Sequence, residues 1–240
     1  KGALRMETPI TVAEIREHIA FLRAVHVASA HGEKSLYTDS VRLRAAVRAY
    51  GAWFAIEAGR GGGSGTVVVT RAPPLEVAWI WHVHRLQPIE YANACAALGA
   101  FVAPARGIGF AYGTTDARAT DARATNAEAR DSEDALVAAV GRHANFLWQV
   151  SGPAYNDDAF LERAVARYER FVALSAAAKG GLAPPIDVDL VWHTHMLRGA
   201  HYEAESTRMR AAASGGPLDH DNSEGVHATL DAAWSRTLDA

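Results

Sequence analysis

Hydrophobic side chains recur at helical spacing along most of the chain, which predicts a mainly α-helical protein. Thr11 and Glu14 form a capping box in front of the first apolar stripe, which starts at Ile15. Further stripes with the same period predict more helices, which start near Asp39, Ser132 and Phe160. The segment "TVVVT", residues 66–70, suggests a strand, so we expect at most a short strand pair.

One element of the chain occurs twice. Residues 73–91, "PPLEVAWIWHVHRLQPIEY", align without a gap to residues 184–202, "PPIDVDLVWHTHMLRGAHY", and eight of nineteen positions are identical. The shared aromatic residues are structural markers of the element: Trp81 and Tyr91 in the first copy, Trp192 and Tyr202 in the second. We therefore predict an all-α or mostly α protein in which one domain, residues 8–240, contains two duplicated helical units, about 39–100 and 155–212.

Two low-complexity segments connect the predicted elements. "GRGGGSGT", residues 59–66, looks like a phosphate-binding loop but lacks the lysine that would reach the phosphates, so we interpret it as an enlarged connection. "TDARATDARATNAEA", residues 115–129, repeats a polar five-residue unit, and we predict a mobile insertion over about 113–131. An exposed alanine-rich helix is the alternative for this second segment.

Charge and cysteine content argue against several classes of protein. The formal net charge is −3, with no cluster of Lys or Arg, so nucleic acid is not an expected partner. Cys95 is the only cysteine, which excludes an intrachain disulfide and indicates a reducing compartment, the cytoplasm or the nucleus. No apolar run reaches the roughly 20 residues that a membrane span needs. No targeting signal is visible, and a chain that starts at Lys1 is expected to lack its true N-terminus.

The candidate chemistry lies in the histidines of the duplicated element: His82, His84, His193 and His195. A strand would place His193 and His195 on one face, able to bind one metal ion, whereas a helix would turn them about 200° apart. The flanking Pro185 and Gly199 favour the helix. His193 would then lie four residues after Asp189, within hydrogen-bonding reach.

Two interpretations of these histidines stay open. In the first, His84 and His195 face the core and are bonded locally, while His82 and His193 brace loops. In the second, His84 and His195 converge between the halves on a divalent metal ion, for which zinc, iron or manganese would suit. Further ligands would come from the C-terminal segment: Asp219, His220 and Asp221. Closed packing of His84 and His195 would favour a scaffold, and an open cavity would favour a metal-dependent enzyme.

Four long motifs follow one another along the chain: the first repeated segment quoted above, "FLWQVSGPAYNDDAFLERAVARYERFVAL", "DVDLVWHTHML" and "LDHDNSEG". Together they resemble the glycine-rich domain-containing protein family, first described in plants. The resemblance extends from about residue 10 to about residue 238, and the module that the family shares was long catalogued as a domain of unknown function. Plant members are linked to development, hormone signalling and stress responses.

The resemblance implies an intracellular regulatory or interaction module with a protein partner. It implies no catalytic or cofactor-binding residue, so it favours a protein that is not an enzyme. The alternative is a metal-binding protein or metal-dependent enzyme that uses the duplicated histidines. RNA binding ranks third because of the net negative charge of the chain. Some family members carry a glycine-rich tail of proposed RNA-binding character, and the given sequence, which ends at Ala240, contains none.

Overall fold

A computed structural model of the protein describes residues 8–29, 31–62, 65–105, 107, 109–113, 127–177 and 182–210. The fold is mostly α-helical, as the periodicity of the sequence predicts. The helices and strands, in chain order, are α1 (Val12–Ala28), α2 (Val41–Gly59), β1 (Thr66–Val69), α3 (Leu75–Arg85), α4 (Pro88–Ala97), β2 (Phe101–Pro104), α5 (Ala127–His143), α6 (Phe146–Gln149), α7 (Asp158–Ala177), α8 (Ile186–Met196) and α9 (Ala200–Arg210). Short 3-10 turns lie at Gly32–Lys34 and Pro153–Asn156.

The predicted capping box at the start of α1 is confirmed. The backbone N–H of Glu14 donates to Thr11 Oγ1 at 3.2 Å, and the backbone N–H of Thr11 donates to Glu14 Oε2 at 2.9 Å. The same carboxylate also pairs with Arg198, whose Nη2 lies 2.8 Å from Glu14 Oε2. The cap therefore satisfies free backbone donors and also ties α1 to the end of the duplicated element.

The predicted strand at 66–70 forms β1, which pairs with β2 in parallel. The register joins Thr66 to Phe101 and Val69 to Pro104. Because parallel strands need a long crossover, α3 and α4 lie between them in the chain. The strand partner at 101–104 is too short for its sequence to indicate a strand by itself.

Helix α5 starts earlier than the pattern of apolar residues indicates. The sequence predicts its start at Ser132, whereas the structure begins it at Ala127, inside the segment for which a mobile insertion is predicted. Alanine and glutamate in 127–131 have high helix propensity, so the helix extends past its apolar stripe. Residues 114–126 of the same segment lie outside the described residues.

The leading helix of each half packs on the other half. We call residues 8–113 the first half and 127–210 the second half. Helix α2 packs on α3 in the first half, and α7 packs on α8 in the second. Helix α1 contacts α7 and α8, whereas α5 contacts α2 and α3. The two halves therefore share one hydrophobic core, in which the largest fully buried side chains are Trp79, Trp81, Tyr50, Tyr168 and Tyr202.

None of the helices within the described ranges has the length and the apolar character that crossing a bilayer requires.

The glycine-rich connection after α2 contains one position that has no room for a side chain. A Cβ atom on Gly61 would lie 2.6 Å from Val67 Cγ2, in β1. We expect Gly61→Ala to lower the free energy of unfolding by about 1–3 kcal/mol, because the Val67 side chain, or the strand that carries it, would have to shift. Gly59→Ala is the matched control, since a Cβ there meets nothing within 4 Å. Thermal melting checks this, and equal midpoints for the two variants would contradict it.

Candidate functional site

The two copies of the duplicated element form the helices α3 and α8, so the helical interpretation is confirmed. Each helix begins after a proline whose backbone is extended, Pro74 with ψ 151° and Pro185 with ψ 151°. Each has an acidic residue in its first turn that pairs with an arginine of the preceding long helix. Arg42 Nε lies 2.7 Å from a carboxylate oxygen of Glu76, and Arg167 Nε lies 2.7 Å from one of Asp187.

His84 and His195 occupy equivalent sites, one in each half. His84 Nδ1 lies 2.7 Å from the Tyr50 hydroxyl oxygen, and His195 Nδ1 lies 2.8 Å from that of Tyr168. Both tyrosines come from the long helix that precedes the element, α2 in the first half and α7 in the second. The repeated sequence therefore forms the same histidine–tyrosine hydrogen bond in each half.

The structural markers form a second repeated contact around the same imidazoles. Trp81 Nε1 donates to the Tyr91 hydroxyl at 2.8 Å, and Trp192 Nε1 donates to that of Tyr202 at 2.9 Å. The Tyr91 ring stands edge-on to His84, and the Tyr202 ring stands edge-on to His195, each with 5.0 Å between ring centroids. Every polar atom named here is paired, as buried polar atoms should be.

The two sites differ in one partner. His195 Nε2 lies 2.8 Å from Glu205 Oε2, and both side chains are buried. The position equivalent to Glu205 in the first half is Ala94. Burial lowers the pKa of His195, although Glu205 opposes the change, and burial lowers the pKa of His84 to about 4.

His84 and His195 are thus each bonded within their own half. The polar partners of His84 are the Tyr50 hydroxyl and the backbone of Glu90, and those of His195 are Tyr168 and Glu205. This closed packing agrees with the interpretation in which both face the core and are bonded locally. The cluster in which histidines of the two halves lie near one another contains the other repeated pair, His82 and His193.

His82 and His193 belong to a row of four imidazoles, the imidazole cluster, which consists of His18, His82, His143 and His193. The ring centroids are 5.0 Å apart for His18 and His82, 6.4 Å for His82 and His143, and 5.1 Å for His143 and His193. The four side chains come from α1, α3, α5 and α8, and all are buried. The cluster lies where the leading helices cross from one half to the other.

Sequence reasoning missed two members of this cluster, His18 and His143. The signal was present, because each stands on the apolar stripe of an amphipathic helix. His18 lies between Ile15 and Leu22 on α1, and His143 follows Val140 on α5. A histidine at a core position of a helix has to find a buried partner, which marks it for inspection.

Hydrogen bonds hold two rings of the cluster in place. His18 Nδ1 lies 3.0 Å from Thr194 Oγ1, and that hydroxyl donates to the Leu190 carbonyl at 2.8 Å. His193 Nε2 lies 3.4 Å from Asp189 Oδ1, the pair that the i, i+4 spacing predicts. Burial, with smaller contributions from neighbouring charges, lowers the pKa of His18 to about 3 and that of His82 well below its ordinary value.

Two neighbouring members of the cluster, His18 and His82, have ring nitrogens without a hydrogen-bond partner among the described residues. Within the described part of the chain, neither Nδ1 nor Nε2 of His82 has a hydrogen-bond partner, and Nε2 of His18 has none. Around His82 lie the rings of Phe21 and Trp79, at 5.2 and 5.4 Å between centroids. Leaving such atoms unpaired costs about 1–3 kcal/mol each, so the cluster needs an explanation.

The predicted metal ligands are spread over different parts of the protein. His84 and His195 have the tyrosine partners described above, and His82 and His193 belong to the imidazole cluster. Asp219, His220 and Asp221 lie outside the described residues. Among the residues that are described, no group of three or more His, Cys, Asp or Glu side chains stands in the arrangement of a formed metal site.

A cleft lies at the junction of the two halves, beside the structural markers. Its lining includes three pairs of equivalent residues: Arg85 and Met196, Pro88 and Gly199, Tyr91 and Tyr202. The buried Arg85 donates to the Leu197 carbonyl at 2.7 Å and to the Gly109 carbonyl at 3.0 Å. Leu197 is the C-cap residue of α8, so the guanidinium of Arg85 caps the carboxyl end of α8 and connects the two halves.

Comparison with known proteins places the chain beside one family. The family model described as "Glycine-rich domain-containing protein-like" matches residues 109–205. Glycine-rich domain-containing protein 2 of Arabidopsis thaliana is 29% identical over 89% of this chain and 29% of the relative. Glycine-rich domain-containing protein 1 of the same plant is 29% identical over 94% of this chain and 30% of the relative.

The chain therefore spans less than a third of the length of these curated relatives. No solved structure matches it.

Proposed function

We propose, from the chain's confirmed resemblance to the glycine-rich domain-containing protein family, that this protein is an intracellular interaction module with a regulatory role. The observation that carries the proposal is the side chain of Trp148, which is 82% exposed. Tryptophan is strongly enriched among the residues that supply most of the binding energy at protein interfaces. An exposed tryptophan on a helical scaffold is therefore a candidate contact for a protein partner.

The setting of Trp148 suits such a contact. It lies on α6, a single turn between α5 and the 3-10 turn Pro153–Asn156. Phe146, two residues before it, is buried, and α6 packs on α1. Because its neighbours anchor the turn, the tryptophan is presented from a fixed backbone, which reduces the entropy that a partner's binding would cost.

The packing of the histidines supports a scaffold more than an enzyme. His84 and His195 are enclosed by aromatic rings and already have hydrogen-bond partners, so the metal-dependent enzyme built on this pair has less support. The buried thiol of Cys95 is compatible with the reducing compartment that the proposal assumes. By similarity to the plant members of the family, we extend the regulatory role to development, hormone signalling or stress responses.

We expect Trp148→Ala to remove partners without affecting the fold. The test compares tagged wild-type and variant chains, expressed in cells at equal levels, by quantitative mass spectrometry of the proteins that copurify. Val27→Ala is the matched control, since Val27 is also highly exposed and lies on α1. Partners should fall at least tenfold for Trp148→Ala and stay unchanged for Val27→Ala, with equal melting temperatures for all three chains. Identical sets of copurifying proteins would overturn the proposal.

A further inference from the structure

The imidazole cluster is a second feature of the protein, separate from the surface around Trp148. It consists of His18, His82, His143 and His193, and each comes from a different helix. His82 and His193 are equivalent residues of the two halves, and the ring of His143 lies between them in the row. We propose that this cluster binds one divalent transition-metal ion, of the class to which zinc and iron(II) belong. This goes beyond the proposed interaction role and does not depend on it.

The first support is the unpaired ring of His82. A neutral imidazole carries one N–H donor and one lone pair, and in the described part of the chain both ring nitrogens of His82 are without a partner. The surrounding Phe21 and Trp79 rings have no acceptor to offer the N–H in the ring plane. A bound ion would use the lone pair of one nitrogen, which removes part of the cost of burying the ring.

The second support is the tautomer of His18. The hydroxyl proton of Thr194 is directed to the Leu190 carbonyl, so Thr194 Oγ1 accepts and His18 Nδ1 carries the donated proton. The lone pair of His18 is therefore on Nε2, the nitrogen that has no hydrogen-bond partner among the described residues. Histidines that bind metal ions almost always donate their other N–H to a neighbouring oxygen in this way.

The ring of His193 is oriented in a similar manner. Its Nε2 faces Asp189 Oδ1 at 3.4 Å, which favours the proton on Nε2 and the lone pair on Nδ1. His18 on one side of the cluster and His193 on the other are thus held by α8 residues, Thr194 and Asp189. The carboxylate of Asp189 would also balance part of the charge of a bound cation.

Two of the three distances between neighbouring rings match the spacing around an ion. Metal–nitrogen bonds of about 2.0–2.1 Å place the centroids of neighbouring imidazole ligands roughly 5 Å apart. The observed centroid distances are 5.0 Å for His18 and His82 and 5.1 Å for His143 and His193. The middle distance, 6.4 Å, is longer. Binding therefore requires the rings of His82 and His143 to turn toward each other before a third ligand can join.

The chemistry of the donors selects the class of ion. Neutral imidazole nitrogens are good ligands for zinc, iron and related ions, whereas calcium and magnesium take oxygen ligands. A buried water molecule is the other occupant that could pair with these nitrogens, and the experiment below separates the two.

The test uses the whole chain without an affinity tag, stripped with a chelator and then dialysed. Zn²⁺ is titrated in by calorimetry and Co²⁺ by visible absorbance. We expect one equivalent of either ion to bind, with cobalt absorption typical of nitrogen ligands and a rise in melting temperature. His82→Phe should abolish the binding, and His26→Gln, which changes an exposed histidine of α1, should leave it intact.

A second variant covers the case in which His82→Phe does not fold. Thr194→Val keeps all four imidazoles but removes the hydroxyl that orients His18, and it should weaken metal binding by about 10–100-fold. Absence of stoichiometric binding to the wild type would overturn the proposal. So would wild-type affinity in both variants. A His82→Phe variant that is more stable than the wild type, with no metal bound by either chain, would show that the cluster holds buried water only and would also overturn it.

Discussion

Replacing His195 with phenylalanine is expected to lower the free energy of unfolding by about 3–5 kcal/mol. The same change at His84 is expected to cost about 1–3 kcal/mol. Each variant removes the histidine partner of a buried tyrosine hydroxyl, that of Tyr168 for His195→Phe and that of Tyr50 for His84→Phe. His195→Phe in addition removes the histidine that lies 2.8 Å from the buried carboxylate of Glu205. The equivalent residue in the first half is Ala94, so His84→Phe leaves no such carboxylate.

Urea denaturation of the two variants and the wild type measures this difference. The double variant His195→Phe/Glu205→Leu is the control, because removal of both members leaves no buried carboxylate to desolvate. It should recover most of the additional loss, although the backbone N–H of Thr8 would lose its bond to Glu205 Oε1. Equal losses for His84→Phe and His195→Phe would show that the carboxylate contributes nothing to the stability of the second half.

Acidification from pH 7 to pH 5 is expected to lower the free energy of unfolding by several kcal/mol. Burial lowers the pKa of His18 to about 3 and that of His84 to about 4, from an ordinary value near 6.5. Below pH 6.5 the unfolded chain therefore binds protons that the folded chain excludes. The free energy of unfolding falls as the pH decreases, by about 2 kcal/mol for each of these two histidines over this range, until the folded protein itself takes up protons near pH 3–4.

Denaturation midpoints at pH 7, 6 and 5 check the sign and the size of this effect. His84→Phe should show a smaller decrease between pH 7 and pH 5 than the wild type, because one of the groups that titrates on unfolding is gone. The exposed histidine variant His26→Gln should follow the wild type. A midpoint that is constant over this range would mean that the buried imidazoles take up protons in the folded protein as readily as they do in the unfolded chain.

The helices and their duplication could be predicted from the sequence because both depend on local patterns. The spacing of apolar residues predicts which face of α1 is buried, and the two consecutive prolines in each copy of the duplicated element predict where α3 and α8 start. The pairing of the strands could not be predicted, since the register of Thr66 with Phe101 depends on the crossover between them. A stretch of four residues, Phe101–Pro104, has too little pattern of its own.

The same limit explains which histidines the sequence could pair. A helical pattern indicates that His84 and His195 face the interior, and both are buried in the structure. The pattern does not indicate which residues surround them there. The structure gives each of them a tyrosine of its own half. Two of the histidines that contact one another, His18 and His143, lie on α1 and α5. Each of these helices packs on the other half of the protein, and that arrangement depends on tertiary packing. A contact such as that of His18 with Thr194 has no local signal.

The packing of α1 on the second half also determines when the protein can fold during synthesis. The partner of His18 lies 176 residues further along the chain, and Glu14 likewise waits for Arg198, 184 residues away. Because domains begin to fold as they leave the ribosome, α1 emerges long before the surface of α8 exists. Helix α1 is made before the other described helices but is among the last to be completed, and its apolar stripe needs protection from aggregation until the second half has been made.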